Sequence, residues 1–426
     1  MKIYLNKVLV FYSIIILLFP ILNPINGNTV YLNNNLMDEE QELHLLRNEH
    51  YLYLKSSDDV DAFHLFFSFP PDYQYQVPIY LEIFNDTTDK LLNYQIENDI
   101  NEPNKLINFT IASMQKDEII LLHFTCWVLI INHDFSDLPD YVKIPEKHEL
   151  PEETKIWLAS TKVVQKDNLL IRLKAWQLRG QNNNLIKYAD KVAPFILNHR
   201  ILLFYMQYYI FHVLFSQDAF TTLLINGENV GRSHLACALF RTYNIPSRVI
   251  LVNNDQGFWT QMHYMVEYYC PGYGWVLVET TGGKTPYETK RQVINRVCYP
   301  EDEEDTKTDY IFPTMKGEER WLWIENEKVF PYYIDCKEGS KSQMFSEAII
   351  SVDSKTANNT IDLTKNVFYY YQNYIGENLE DGDLLHFQNA SNYQIKALNV
   401  LIDTNIIENY IYYMNLSYYE YRLIEL

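Results

Sequence analysis

The chain has 426 residues, 47% of them hydrophobic, and carries 55 acidic against 35 basic side chains, a net charge of −20. This length predicts two to three domains with a substantial hydrophobic core. The acidic balance argues against nucleic acid and against an anionic membrane surface as partners, because their phosphate groups would be repelled.

The N-terminus has the order of a secretory signal. Lys2 and Lys7 precede the apolar run from Val8 to Leu22, and Gly27 follows shortly afterwards. The run is shorter than the roughly 20 residues that a membrane span needs. We therefore expect residues 1–27 to be a signal peptide or N-terminal anchor, and the protein to be secreted or located at the cell surface. A membrane is an expected partner only through this segment, if it is uncleaved.

Residues 28–150 carry the pattern of a β-sandwich domain. Side chains alternate in polarity over Val77–Ile83 and Ile107–Ile111, and Glu118–Ile131 is a longer apolar strand. Several short strands at regular spacing are typical of a sandwich. No catalytic motif is visible in this region.

The next region, up to residue 226, reads as helical. Prolines punctuate a charged linker that ends at Pro151. Apolar periodicity predicts helices over Leu169–Leu178 and Leu185–Phe215, the second broken at Pro194.

The most strongly patterned stretch, residues 227–281, begins with a helix. Asn229 is predicted to be its N-cap, since its side-chain oxygen can accept a first-turn amide. Apolar residues then recur at helical spacing until Asn244 and Pro246 end the helix.

A β-hairpin follows the helix. The strands Gln261–Tyr269 and Trp275–Thr280 are joined by a Pro-Gly-Tyr-Gly turn. If the turn is centred on Pro271, His263 lies opposite Glu279, and opposed Cβ atoms are about 5 Å apart. An imidazole and a carboxylate beside a helix N-terminus form a base held by an acid.

This helix and hairpin resemble the core of the transglutaminase-like superfamily, which has a papain-like fold. The positions that match its motifs in register are Arg241, Ile245, Pro246, Arg248, His263, Val266, Glu267, Tyr269, Pro271, Gly272, Tyr273, Gly274, Trp275, Val276, Val278 and Thr281. The resemblance implies an α+β fold with a transglutaminase-like domain over residues 151–350, preceded by the β-sandwich. It also implies a Cys-His-Asp triad.

At the triad positions the chain departs from that pattern. The nucleophilic cysteine falls on Asn229 and the aspartate on Glu279, and only His263 is retained. Asparagine cannot replace a thiolate. Cys237 lies about 12 Å farther along the helix on another face, and Ser233 is a weak substitute one turn from Asn229. The resulting Asn-His-Glu set predicts no acyl-enzyme chemistry of the usual kind.

The remaining residues predict an extension of this domain and a helical tail. Arg320–Ile324 and Tyr332–Ile334 read as strands that extend the core sheet. Residues 351–426 read as a helical C-terminal extension, with a helix over Tyr393–Tyr413. Cys298 and Cys336 are the first choice for a disulfide in an exported protein.

We expect neither a metal nor another cofactor. The acidic run Glu301–Asp305 lacks the ligand pattern of a calcium loop and reads as a solvated loop. His64, His123 and His133 are not spaced as metal ligands and read as ordinary strand or loop residues.

Three functions fit these features. The first is a non-catalytic protein that binds a peptide or a surface polymer in the remnant cleft. The second is a hydrolase or acyltransferase in which His263, oriented by Glu279, activates water while Asn229 donates to the oxyanion. The third is a structural module of a cell-surface assembly, because a fold alone does not fix a function.

Overall fold

The computed structural model describes residues 40–199, 216–225, 227–254, 262–304, 322–332 and 341–424. The predicted signal segment, Cys336 and the second half of the predicted helix Leu185–Phe215 lie outside these ranges. The Cys298–Cys336 disulfide therefore stays a prediction. The predicted domain boundaries also stay predictions.

Within the described residues the architecture is α+β. The strands are β1 (Glu40–Ser56), β2 (Phe63–Phe69), β3 (Gln76–Ile83), β4 (Leu91–Asn98), β5 (Lys105–Ile111), β6 (Ile119–Ile131), β7 (Ser247–Asn254), β8 (Met262–Cys270), β9 (Gly274–Val278), β10 (Gln292–Val297), β11 (Leu322–Ile324), β12 (Val329–Pro331) and β13 (Lys341–Asp353). The α-helices are α1 (Leu169–Arg179), α2 (Leu185–Asn198), α3 (Ala219–Leu224), α4 (Asn229–Arg241), α5 (Pro300–Glu304), α6 (Ser354–Tyr374), α7 (Asp381–Thr404) and α8 (Ile407–Ile424).

Two antiparallel sheets form the predicted sandwich. One has the order β12-β1-β6-β3 with β13 paired to β1, and the other has the order β11-β2-β5-β4. Alternating apolar residues face each other between the sheets, where the ring of Phe124 lies 5.1 Å from that of Phe67 and 5.2 Å from that of Phe109. The sandwich prediction is confirmed.

The sandwich also contains strands that come from the far end of the chain. The sequence assigned Arg320–Ile324 and Tyr332–Ile334 to an extension of the core sheet, and this was wrong for their described parts. β11 pairs with β2, and β12 pairs with β1. Apolar alternation identifies a strand but does not show which strand it pairs with. The strand β13 likewise pairs with β1, in the sheet that contains β12.

The core combines helices with a sheet of order β10-β7-β8-β9. Helix α4 packs on β8 and against α3. The approach of α3 depends on Gly231, where a Cβ would lie 2.5 Å from Thr222 Oγ1 and 2.7 Å from Gln217 Oε1. Helix α2 continues through Pro194 to Asn198, so the predicted break at that proline was wrong. The proline removes one helical hydrogen bond near the C-terminal end, where little helix remains to be disrupted.

Side-chain amides of the sandwich complete the edge of the core sheet. Gln76 accepts from the Ile294 N–H and donates to its carbonyl, both at 2.8 Å. Asn104 makes the same pair of 2.8 Å bonds with Val297. Each amide thus takes the hydrogen-bonding place of a neighbouring strand along β10.

The acidic run that follows β10 is partly buried, which corrects the expectation of a solvated loop. Its described residues form helix α5, in which Glu303 is fully buried and pairs with Arg241 at 2.5 Å. Asp302 pairs with Arg296 at 2.8 Å. Arg241 lies 62 residues from Glu303 in sequence, so the run alone gives no sign of this pairing, whereas Arg296 lies only six residues before Asp302.

The C-terminal extension is helical, as predicted, but its helices divide differently. The predicted helix Tyr393–Tyr413 is interrupted after Thr404, where Asn405 adopts a left-handed conformation with φ 54°. Asparagine tolerates this conformation and ends α7, so α8 starts a new direction. No helix in the described ranges is long and apolar enough to cross a membrane.

Candidate active site

Asn229 lies at the N-terminal end of helix α4, beside the hairpin. The N-cap is Glu228, with φ −71° and ψ −170°, and Asn229 is the first helical residue, so the predicted cap was off by one position. The Asn229 side chain accepts from its neighbour, the Val230 N–H, at 2.8 Å. Asn229 is half-buried, and its amide nitrogen is directed to the hairpin.

The hairpin brings His263 and Glu279 together, although in a register that the sequence did not predict. Val266 pairs with Val278 and Tyr269 with Trp275, so the turn is centred on Gly272 rather than on Pro271. A three-residue turn with φ 80° at Gly272 explains the shift. Glu279 therefore lies diagonally to His263, on the same face, because the shift is an even number of residues.

The contact between the two side chains is direct. His263 Nε2 lies 2.8 Å from Glu279 Oε2, and the two residues are 6% and 5% exposed. The other carboxylate oxygen accepts from the Thr281 N–H at 2.7 Å and from its hydroxyl at 2.6 Å. Burial raises the pKa of Glu279, but the bonds from His263 and Thr281 outweigh it and hold the pKa below its usual value.

These contacts assign the protons of the site. Because an N–H can only donate, the Asn229 atom beside Val230 is the oxygen, and Nδ2 is the atom 3.2 Å from His263 Nδ1. An amide N–H needs an acceptor, so Nδ1 carries the lone pair and Nε2–H donates to Glu279. We therefore assign a neutral imidazole whose lone pair is occupied by Asn229.

The described residues place neither a thiol nor a free hydroxyl beside His263. The Ser233 hydroxyl is fully buried and bonds the carbonyls of Asn229 at 2.9 Å and Tyr264 at 3.1 Å. Cys237 is fully buried within α4, and Cys270 lies at the turn, where burial raises its pKa to about 11. Within the described part of the chain, the polar side chain that contacts His263 Nδ1 is that of Asn229.

Other motif residues build the frame of the site. Arg248 bonds Glu267 at 2.9 Å, and both contact the hydroxyl of Tyr73, which comes from the sandwich. The guanidinium of Arg248 stacks 3.6 Å from the ring centroid of Trp275. The family motif contains Arg248, Glu267 and Trp275, but the pattern gave no sign of Tyr73.

Sequence reasoning also missed two residues that orient the site. Thr281 matched the motif, yet its two bonds to Glu279 were not predicted. Gln217 accepts from the Glu228 N–H at 2.9 Å with its side chain, and its carbonyl contacts His234 Nδ1 at 2.6 Å, which fixes the start of α4. A threonine two residues after a predicted acid was a usable signal, since such pairs form local turns. Gln217 had none.

No cluster of metal ligands occurs in the described parts of the chain, where no three His, Cys, Asp or Glu side chains come together as a metal ion would require.

Comparisons with known proteins agree with the core motif. The model of the Transglutaminase-like superfamily matches residues 208–280, which include Asn229, His263 and Glu279. No curated protein matches the chain.

Two solved structures match part of the chain. One is "a Putative Cysteine Protease from Cytophaga hutchinsonii", with 14% identity, a TM-score of 0.48, and coverage of 73% of this chain and 92% of that one. The other is "a putative protease from Parabacteroides distasonis", with 13% identity, a TM-score of 0.24, and coverage of 61% of this chain and 48% of that one. At this level of similarity neither bears on the reaction. The family match and the geometry together identify residues 208–280 as a transglutaminase-like core.

Proposed function

We propose that this chain is a non-catalytic transglutaminase-like protein, exported from the cell, that binds a peptide or a surface polymer beside Asn229. The observation that carries the proposal is the 3.2 Å contact from Asn229 Nδ2 to His263 Nδ1. It puts an amide where the family has a thiol. An amide nitrogen has no lone pair available for attack, so acyl transfer through this position has no nucleophile.

The retained polar groups support binding. Asn229 is half-buried, and one N–H of its amide makes no hydrogen bond with the described residues. That N–H suits an amide carbonyl, which peptides and N-acetylated polysaccharides both carry. His263 and Glu279 then serve to hold the amide in one orientation.

Asn229→Cys is the direct test. If the site lacks only its nucleophile, the variant should gain a reactive thiolate, measured as alkylation by iodoacetamide. Adding His263→Ala should slow that alkylation about a hundredfold, since a positioned base contributes at least that much. The described cysteines of the unmodified chain are buried, so that chain gives the background rate of alkylation. An alkylation rate of the new thiol that His263→Ala leaves unchanged would contradict the assigned geometry.

Binding is tested separately on the unmodified protein. Fluorescence titration with labelled unstructured peptides and cosedimentation with insoluble N-acetylated polysaccharide are the two probes. Asn229→Ala should weaken either interaction about tenfold, the size expected for one hydrogen bond to a desolvated group. If neither Asn229→Ala nor His263→Ala alters binding to any probe, the cleft is idle and the structural-module function takes its place.

The intact His263–Glu279 contact of 2.8 Å also favours a hydrolase that activates water. This function requires the His263 lone pair to leave Asn229. Amine incorporation and peptide hydrolysis by the unmodified protein, lost in His263→Ala, would establish it and exclude the non-catalytic function.

A further inference from the structure

Helix α1 (Leu169–Arg179) carries an apolar stripe on its outer face. Leu169, Leu173 and Trp176 are 68%, 51% and 67% exposed, whereas Ile171 and Ala175 are fully buried. Spacings of four and three residues place the three exposed side chains on one line along the helix. Large apolar side chains exposed in a row mark an interaction surface.

The segment of the sequence that contains α1 is basic, opposite in sign to the whole protein. Residues 162–191 carry seven lysines and arginines against two aspartates, in a chain of net charge −20. Arg172 is exposed between the apolar side chains and makes no ion pair with the described residues. Lys162 is exposed ahead of the helix, and Lys174 is buried against Phe195 and does not contribute to the outer face.

We propose that α1 docks on a lipid surface with anionic headgroups. Leucine and tryptophan on one face with basic residues beside them are typical of helices that lie in a membrane interface. The three apolar side chains project outward with half or more of their surface exposed. Such projecting groups suit the fluid boundary between headgroups and acyl chains, and the basic residues meet the anionic headgroups.

The net charge of −20 does not prevent this contact. Charges farther from the lipid than the Debye length, about 10 Å at 0.1 M salt, are largely screened. The positive charge of α1 therefore decides the interaction. The expectation that the acidic chain avoids an anionic membrane does not hold for this face. Screening also makes the binding depend on salt.

Cosedimentation of the purified full chain with vesicles tests the proposal. One set of vesicles contains phosphatidylcholine alone, and the other also contains phosphatidylserine. We expect binding to the mixed vesicles, weakened by salt. The double variant Leu173→Gln, Trp176→Gln should reduce partitioning at least tenfold, because each large side chain loses its apolar burial. Tyr419→Gln on α8, where the tyrosine is 61% exposed, is the matched control and should bind as the unmodified chain does.

Three outcomes would overturn the proposal. The first is no sedimentation with either vesicle, and the second is equal loss in the α1 variant and in the Tyr419→Gln control. Self-association that the α1 variant abolishes, without vesicle binding, would assign the stripe to a second copy of the chain and also overturn the lipid surface. Thermal unfolding of both variants distinguishes lost docking from lost fold. The result does not depend on the cleft, so it stands apart from the proposed function.

Discussion

Strand β8 contributes one residue to each of two buried acid–base pairs, His263 and Glu267, which lie four positions apart. The two pairs have different roles. His263 contacts Glu279 at 2.8 Å, and Glu267 binds Arg248 at 2.9 Å. Both pairs are almost fully enclosed. Burial and ion pairing therefore do not by themselves mark a chemical site on this strand.

The difference lies in what each pair touches. Arg248 is covered by Trp275 at 3.6 Å and Trp157 at 4.5 Å, and the hydroxyl of Tyr73 closes the cluster. Burial raises the pKa of Tyr73 well above its usual value, so its hydroxyl stays protonated. Arginine also stays charged at all ordinary pH values.

The His263 pair touches the amide of Asn229, which is half-buried. That accessible neighbour lets a ligand reach the pair, whereas Arg248 is covered by two tryptophan rings. Access thus separates the candidate site from the structural pair, and three substitutions test that separation.

The largest effect is expected from Arg248→Met. It leaves the Glu267 carboxylate buried beside Tyr73 without its cation, which costs about 3–5 kcal/mol of unfolding free energy. Urea unfolding at constant m-value measures the loss. Arg172→Met is the control, because this arginine is exposed and forms no ion pair with the residues that the structure describes, and it should change stability by less than about 0.5 kcal/mol. Equal effects of the two variants would contradict the structural role of the pair.

Glu279→Gln should have an intermediate effect of about 1–3 kcal/mol near neutral pH, because His263 and Thr281 lose a charged acceptor. The native pKa of Glu279 is below its ordinary value of 4.5, so its stabilisation is present above that value and is lost as pH falls through the native pKa. The difference between unmodified chain and variant should therefore shrink in acid. A difference that stays constant from neutral pH down to about pH 3 would show that the carboxylate is not the stabilising group.

Asn229→Ala should have the smallest effect on stability, within about 1 kcal/mol, because the residue is half-buried and solvent can replace its amide. The same unfolding experiment measures it. A loss as large as that of Arg248→Met would make the site a structural cluster and remove the contrast between the two pairs.

Local pattern was enough to predict the elements of the site. Helical periodicity gave α4, and two apolar strands around a Pro-Gly turn gave the hairpin, so His263 and Glu279 were expected on one face. The predicted register of the hairpin was wrong because the turn contains three residues. Residue identity does not fix the length of a turn when two glycines are present. The predicted N-cap, Asn229, was wrong by one position, because Glu228 has the extended backbone of a cap and Asn229 is already helical.

Partners distant in sequence were beyond prediction. The sequence of β11 does not indicate that it pairs with β2, and the sequence around Glu303 does not indicate its ion pair with Arg241. Both pairings depend on how distant segments pack. Tyr73 reaches Glu267 across 194 positions for the same reason. Such contacts follow from the tertiary fold, which local propensity does not encode.

The two amides on β10 have a consequence for solubility. An edge strand with open N–H and C=O groups is a template on which another chain can add a strand and begin to aggregate. Gln76 and Asn104 occupy that template at Ile294 and Val297 without extending the sheet, since a side chain offers no further strand to pair with. The sandwich therefore acts as an intramolecular guard, and a core released from it would regain a sheet edge able to recruit its own copies.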